Sequence, residues 1–206
     1  MNKILILFAH PALEKSRVNL QLLREVRGLP GVTFHDLYEA YPDLYIDVKR
    51  EQKLVEEHDI VIFQHPFYWY SSPAILKEWQ DLVLEYGYAY GKGGTAFAGK
   101  LMLNAITTGG AQEAYRAEGL NRHTIRQFLA PFDQTAELCN MTYLAPFVIH
   151  RSLFITTEEA CKPFASEYRK VVEALRDGTV DIEAARKAER INDLFPKFTV
   201  SGLAQR

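Results

Sequence analysis

Apolar residues fill every position from Ile4 to Ala9, a run that suits a strand covered on both faces, and Pro11 closes it. Helical spacing begins at once, with Leu20, Leu22 and Leu23 behind Ser16, a favourable N-cap residue. After a turn at 28–31, residues 32–37 alternate as an edge strand does, and 38–45 form a connection bearing tyrosine and proline. Asp47 then caps a predicted helix over 48–57. The cycle repeats: 59–65 reads as a buried strand, 66–73 as a loop, and Ile75, Leu76, Trp79, Leu82 and Val83 recur at helical spacing. A long loop rich in tyrosine and glycine covers 86–94. The pattern then predicts a fourth strand over 100–106, an irregular stretch over 111–122, and a helix over 124–139 that breaks near Pro131. A fifth strand is expected around 147–154, a long helix over 158–176 and a short charged helix over 181–191. The last stretch, 194–206, is expected to pack outside the core.

Five strands alternating with helices imply an α/β fold, a doubly wound parallel sheet with helices on both faces. In the five-stranded order 2-1-3-4-5, ligands bind beyond the carboxyl ends of the strands, where the order reverses. The loops after the first, third and fourth strands meet there.

Composition narrows the function classes. A chain of 206 residues, 48% of them hydrophobic, can bury one sizeable core, and no Pro/Gly/Ser-rich linker divides it. One domain is expected over 1–178, with 179–206 as an extension that packs on its own or a partner subunit. Lys plus Arg number 24 against 26 Asp plus Glu, a net charge of −2, which leaves no basic face for nucleic acid. No run has the length of a membrane span or a signal-peptide layout, so a cytoplasmic location is expected. Cys139 and Cys161 lack metal-ligand spacing and read as reduced structural thiols, with no metal site. No P-loop or GxSxG motif is present.

The three crevice loops carry the candidate chemistry. Between His10 and Asn19, a helix start behind Ser16 leaves the backbone N–H groups of Arg17, Val18 and Asn19 without intrahelical partners, and His10 and Ser16 add side-chain donors. Such a turn suits a phosphate; alone, it reads first as an ordinary capped turn. The second loop sets Phe67, Tyr68, Trp69 and Tyr70 in succession, a wall for a flat apolar ligand or for another protein surface. The third runs from Thr107 and Thr108 into Gly109 and Gly110, where backbone N–H groups can approach a ligand's edge, and on to Tyr115. Gly109-Gly110 alone is also a common turn. A phosphate at one end and a planar ring at the other describe flavin mononucleotide (FMN).

The same residues resemble the flavodoxin-like NAD(P)H:quinone reductases, and most of all a bacterial branch of ancillary proteins to glutathione-gated potassium-efflux antiporters. The matching motifs are Ala9-His10-Pro11 with Ser16-Arg17-Val18-Asn19, the stretch from Gln64 to Trp79, and Thr107-Thr108-Gly109-Gly110 with Tyr115. Tyr86-Gly87-Tyr88-Ala89-Tyr90-Gly91 and Tyr143-Leu144-Ala145-Pro146-Phe147 match too. The likeness spans about 3–176 and leaves out the tail beyond Gly178. It implies a flavodoxin-like fold and FMN, with flavin adenine dinucleotide as the alternative, its phosphate at His10 and the 16–19 turn. The flavin ring would lie on 67–70 with its edge on 107–110. It also implies a homodimer with a shared site, in which Tyr90 reaches toward the partner's flavin.

The implied reaction is two-electron transfer from NAD(P)H through the flavin to a quinone or similar electrophile. The Tyr115 hydroxyl and the N–H groups near 108–110 would stabilise developing charge, the preorganised-donor logic of an oxyanion hole. Relatives carry a histidine six positions after the matching tyrosine, where this chain has Asn121, which hydrogen-bonds but cannot shuttle a proton near neutral pH. Nearby His123 is the substitute candidate and also reads as an ordinary surface residue. The competing function is a regulatory subunit docked on a membrane potassium-efflux antiporter, peripheral to the inner face of the cell membrane, with redox activity secondary. A one-electron carrier is disfavoured by the near-neutral charge.

Overall fold

A computed structural model of the protein describes residues 1–195. Strand β1 (Ile4–Phe8) is buried along its whole length and sits between β2 (Val32–Asp36) and β3 (Ile60–Pro66), with β4 (Leu101–Thr107) beyond β3, all parallel. Alternation along the strands sorts side chains to two faces. Ile4, Ile6, Ile60 and Ile62 meet helices α1 (Arg17–Val26) and α7 (Glu158–Asp177), whereas Leu5, Leu7, Val61 and Phe63 meet α3 (Val48–Glu56), α4 (Ala74–Val83) and α6 (Ala130–Leu138). Coverage of both faces is what an unbroken apolar strand requires. Cys139 and Cys161 are free thiols buried in the cores on opposite faces of the sheet.

The far edge differs from the single fifth strand expected around 147–154. Two short strands, β5 (Thr142–Tyr143) and β6 (Phe147–Ile149), both pair with β4, giving the order β2-β1-β3-β4 with β5 and β6 sharing the edge. Pro146 has no N–H to give to a ladder, and the Ala145 N–H turns away to Ala185 O at 2.8 Å. Beyond Ile149 the backbone bends at Arg151, in the left-handed region with φ 54°, into a 3₁₀ turn over Ser152–Phe154. The chain there binds a loop instead of a strand: Arg151 N–H donates to Gly110 O and Ser152 N–H to Thr108 O.

Two further departures are local. The second strand stops at Asp36 because its carboxylate caps a short helix, α2 (Leu37–Ala40), taking the N–H groups of Tyr38 and Glu39. The helix expected over 124–139 divides at Leu129 into α5 (Ile125–Phe128) and α6, with Pro131 in the first turn of α6, where its missing N–H costs nothing. Thr124 and Gln127 close a capping box on α5. Helix α8 (Ile182–Lys187) and the 3₁₀ turn Ile191–Leu194 lie over the β5/β6 edge of this chain, where Asn192 Oδ1 accepts the Val148 N–H at 2.8 Å. Such cover shields a sheet edge from other strands. Residues 196–206 of the tail lie outside the described residues.

One buried charge ties the β2 side together. Glu51, fully buried on α3, accepts from His35 Nε2 at 2.8 Å, Tyr41 Oη at 2.6 Å and Trp79 Nε1 at 2.8 Å. Burial pushes this carboxyl up, and the three donors outweigh it and hold it below the usual carboxylate range. Nothing in the sequence distinguishes Glu51 from the solvated charges around it on α3.

Candidate functional site

The crevice opens at the carboxyl ends of β1, β3 and β4, on either side of the point where the chain switches direction across the sheet. Ala9 N–H bonds Gln64 O, and the chain then turns through buried His10. His10 Nδ1 accepts the Ala12 N–H at 3.2 Å, so in the neutral ring the hydrogen resides on Nε2, which is left as a donor. Burial lowers the ring's pKa, against the pull of Glu14, and favours that neutral form.

After a 3₁₀ turn over Leu13–Lys15, Ser16 caps α1 by accepting the Asn19 N–H. The Ser16 N–H is taken by Leu13 O, which leaves the N–H groups of Arg17 and Val18 at the positive end of a ten-residue helix. The Val18 side chain packs into the core and Arg17 is exposed, so Val18 offers the crevice only its backbone.

Asn19 is the hinge of the arrangement. Buried, it sends Nδ2 to Ser16 Oγ at 3.0 Å and to Thr107 Oγ1 at 3.2 Å, joining the first loop to the end of β4. Its Oδ1 is buried without a partner among the described residues. Both of its partners are hydroxyls, which donate or accept, so the amide can present either its oxygen or its NH₂ to the crevice.

The aromatic loop is a strained tight turn. Ser71 N–H bonds Tyr68 O at 3.0 Å, and the central residues Trp69 and Tyr70 have φ of 51° and 64°, the type I′ conformation that normally selects Asn and Gly. Trp69 is 93% exposed, and Tyr68 and Tyr70 are about half so. Tyr70 is braced from behind, stacked on Phe128 at 5.0 Å between ring centroids, with its hydroxyl donating to Asn121 Oδ1 at 3.3 Å. Phe67 is buried beneath, edge-on to Tyr70, Tyr115 and Phe128. Tyr68 meets His10 edge-on at 6.1 Å and links the second loop to the first.

In the third loop, Thr108 is pinned by N–H to Ile149 O at 2.8 Å and by its hydroxyl to Gly110 O at 2.9 Å. A Cβ on Gly110 would come within 3.1 Å of the Tyr115 ring, so a side chain here would push the phenol back by a few tenths of an ångström. Burial raises the Tyr115 hydroxyl, which therefore stays protonated near neutral pH. The Gly109 N–H has no protein acceptor among the described residues. An open cleft of about 390 Å³ flanks Tyr115, with His150, Glu113, Arg116, Glu189 and Arg190 among its walls.

His10, Ser16, Asn19, Tyr68, Tyr70, Thr107, Thr108, Gly110 and Tyr115 are thus connected by direct contacts across three loops. Asn121 joins them through Tyr70 and through its N–H on Ala114 O, next to Tyr115, and His123 is exposed, touching the group edge-on at Phe128. Tyr90, on the glycine-rich loop, stands edge-on to Tyr86 at 5.7 Å. Sequence reasoning missed His150 and Phe128. One signal for His150 existed: like His10, it directly follows an apolar strand run at the carboxyl edge of the sheet. Among the described residues no cluster of His, Cys, Asp and Glu could hold a metal ion, and no helix is long and apolar enough to cross a membrane.

A phosphate-bearing planar ligand fits this geometry on three counts: the free α1 N-terminus, the buried Asn19 amide whose Oδ1 has no partner among the described residues, and a glycine strip in which a Cβ on Gly110 would crowd the Tyr115 ring. Comparison with known proteins runs the same way. A family model described as "Flavodoxin-like fold" matches residues 2–172. The glutathione-regulated potassium-efflux system ancillary protein KefG of Pectobacterium atrosepticum is 49% identical over 148 residues, 72% of this chain and 81% of that protein. Among solved structures, one described as a thermophilic tryptophan halogenase from Streptomycin violaceusniger has 45% identity and a TM-score of 0.78, covering 82% of this chain and 97% of that one. General stress protein 14 of Treponema denticola in complex with FMN has 37% identity and a TM-score of 0.77, covering 86% and 99%. An NADPH-quinone reductase from P. pentosaceus has 30% identity and a TM-score of 0.74, covering 82% and 96%. With its strand order, its crevice loops and these matches in accord, the chain belongs to the flavodoxin-like family, among relatives that include the ancillary proteins of glutathione-regulated potassium efflux.

Proposed function

We propose that the protein is an FMN-dependent NAD(P)H:quinone oxidoreductase. The observation that carries the reading is the Asn19 bridge, which brings the anion-binding start of α1 against the end of β4, one loop away from both the glycine strip and the aromatic turn. The relatives and neighbours named for FMN and for quinone reduction support it. In this reading residues 1–178 form the flavin-binding unit, 179–206 an extension, and the working form is a homodimer.

The flavin, when bound, supplies two-electron hydride chemistry between a nicotinamide and a quinone. The chain's own residues hold and orient. The N–H groups of Arg17 and Val18 and the His10 Nε2 donor would hold its phosphate, while Asn19 fixes their loop. Phe67 to Tyr70 present a flat apolar surface and Thr107 to Gly110 a narrow edge without side chains at its tip. The Tyr115 hydroxyl, kept protonated by burial, donates to charge that develops beside it. Asn121 does not relay a proton; it steadies Tyr70.

The test is optical. The purified protein should be yellow or take up added FMN with a stoichiometry of one per chain, and should bleach anaerobically with NADH or NADPH and recolour with a quinone. A colourless protein that refuses FMN removes the proposal. A second reading, a regulatory subunit of a potassium-efflux antiporter, is favoured by the relatives named as ancillary proteins. Co-purification with such an antiporter, and activation that survives loss of flavin, would select it.

A further inference from the structure

His150 has no part in the scheme above, yet it stands against the residue that scheme relies on for proton donation. Its ring centroid lies 5.5 Å from that of Tyr115 with the planes tilted by 37°, and its Nδ1 is 3.1 Å from Thr108 Oγ1. The Thr108 hydroxyl owns one hydrogen, and the bond to Gly110 O at 2.9 Å uses it. The hydrogen between Thr108 and His150 therefore belongs to Nδ1: His150 donates, and Nε2 is bare.

The charged groups facing the ring are Arg190, Glu113 and Asp193, and Arg190 is itself held by Asp193. Burial, with Arg190 adding to it, lowers His150 to about 4, so the ring is neutral at physiological pH. A neutral ring with a fixed hydrogen orders neighbouring groups without carrying a charge of its own.

We propose that His150 is a positioning residue for Tyr115, acting through the Thr108 hydroxyl. Thr108 also hydrogen-bonds the Tyr115 phenol, as does the Gly110 backbone, so a Thr108 hydroxyl held between His150 and Gly110 O holds the phenol in turn. His150 does so from the carboxyl end of β6, beside the carboxyl end of β4 that Thr108 follows. The inference rests on the reductase reading, and its test separates the two.

Nitrogen-15 NMR of the imidazole in flavin-free protein should show His150 as the neutral Nδ1–H tautomer from about pH 5.5 to 8, and Thr108→Val should disturb that preference. In the flavin-loaded protein, His150→Phe keeps an aromatic ring against Tyr115 and loses the hydrogen bond. It should lower kcat for quinone reduction roughly tenfold, about 1.4 kcal/mol, with KM for the nicotinamide and affinity for FMN unchanged within about twofold. His150→Asn, whose amide N–H reaches the place of Nδ1–H, should restore most of kcat. An Nε2–H tautomer, or His150→Asn as slow as His150→Phe, overturns the positioning role even in a protein that binds FMN and turns over quinone. A protein that takes up no FMN while holding His150 as the Nδ1–H tautomer overturns the reductase reading, and the role in catalysis falls with it.

Discussion

Trp69 occupies a left-handed position with φ 51° while keeping its side chain 93% exposed, a combination that folding alone does not reward. An L residue in that region costs about 1–2 kcal/mol, and asparagine tolerates it best among residues with a Cβ. Trp69→Asn gives up almost no burial, because there is almost none to lose. The expected gain is about 1 kcal/mol in the flavin-free protein, or a rise in Tm of roughly 2–4 °C for a chain of this size. If the indole covers a flavin, the same change removes a ring contact worth about 0.5–1.5 kcal/mol and weakens FMN binding roughly two- to tenfold. Thermal unfolding without flavin and a fluorescence titration with FMN measure the two effects on one variant. A lower Tm would refute the strain account. A higher Tm with unchanged FMN affinity would remove Trp69 from the binding wall and leave the strain to another partner, such as a second subunit.

Asn19→Ala removes both bonds of the bridge to Ser16 and Thr107, with an expected cost of about 1–2 kcal/mol in urea unfolding and a roughly tenfold loss of FMN affinity; retained affinity would separate the bridge from the site. Glu51→Ala should cost about 3–5 kcal/mol because three donors lose a buried acceptor, whereas Glu51→Gln should cost about 1–2 kcal/mol. In the Gln variant the Tyr41 hydroxyl and His35 ring can reverse their roles and Trp79 Nε1–H keeps an oxygen, so equal costs for the two variants would refute this account of the network. Glu51 lies below its ordinary range in the fold, so its contribution is complete above the unfolded pKa and fades as pH falls through the folded one. His65 is fully buried, with Nδ1 on Pro66 O and Nε2 taking a hydrogen from Asn104, and burial lowers it from 6.5 to about 4. Between those values the unfolded chain binds the extra proton, so stability falls as pH drops from 6.5 to 4 and levels below, by about 3 kcal/mol for this group. Replacing His65 by Gln should flatten the urea-unfolding profile over that window by a comparable amount, and an unaltered pH slope would show that His65 is not buried as the neutral ring.

What the sequence made legible was whatever neighbouring residues decide among themselves. The apolar run before His10, the Ser16 cap and the α1 periodicity are settled within about twenty residues, and the structure has that strand, that cap and that helix where the pattern put them. Asp36 shows the limit of reading an alternation too far, since a carboxylate placed to cap ends a strand that the pattern would continue. The edge strand was misjudged for a non-local reason: Pro146 interrupts the ladder, and the segment past Ile149 bonds to Thr108 and Gly110, some forty residues earlier in the chain. The three strand-end histidines make the same point more sharply. His10, His65 and His150 look alike in the sequence, each standing near the end of a strand. The first keeps a donor at Nε2 while its Nδ1 takes a hydrogen from the backbone of the turn. The second spends both nitrogens inside the core on Pro66 and Asn104. The third commits one nitrogen to a threonine from another strand and leaves the other bare. A histidine's chemistry at a strand end is therefore set by which loop the topology lays against it, and the strand order, more than the local motif, decides which of the three can serve a ligand.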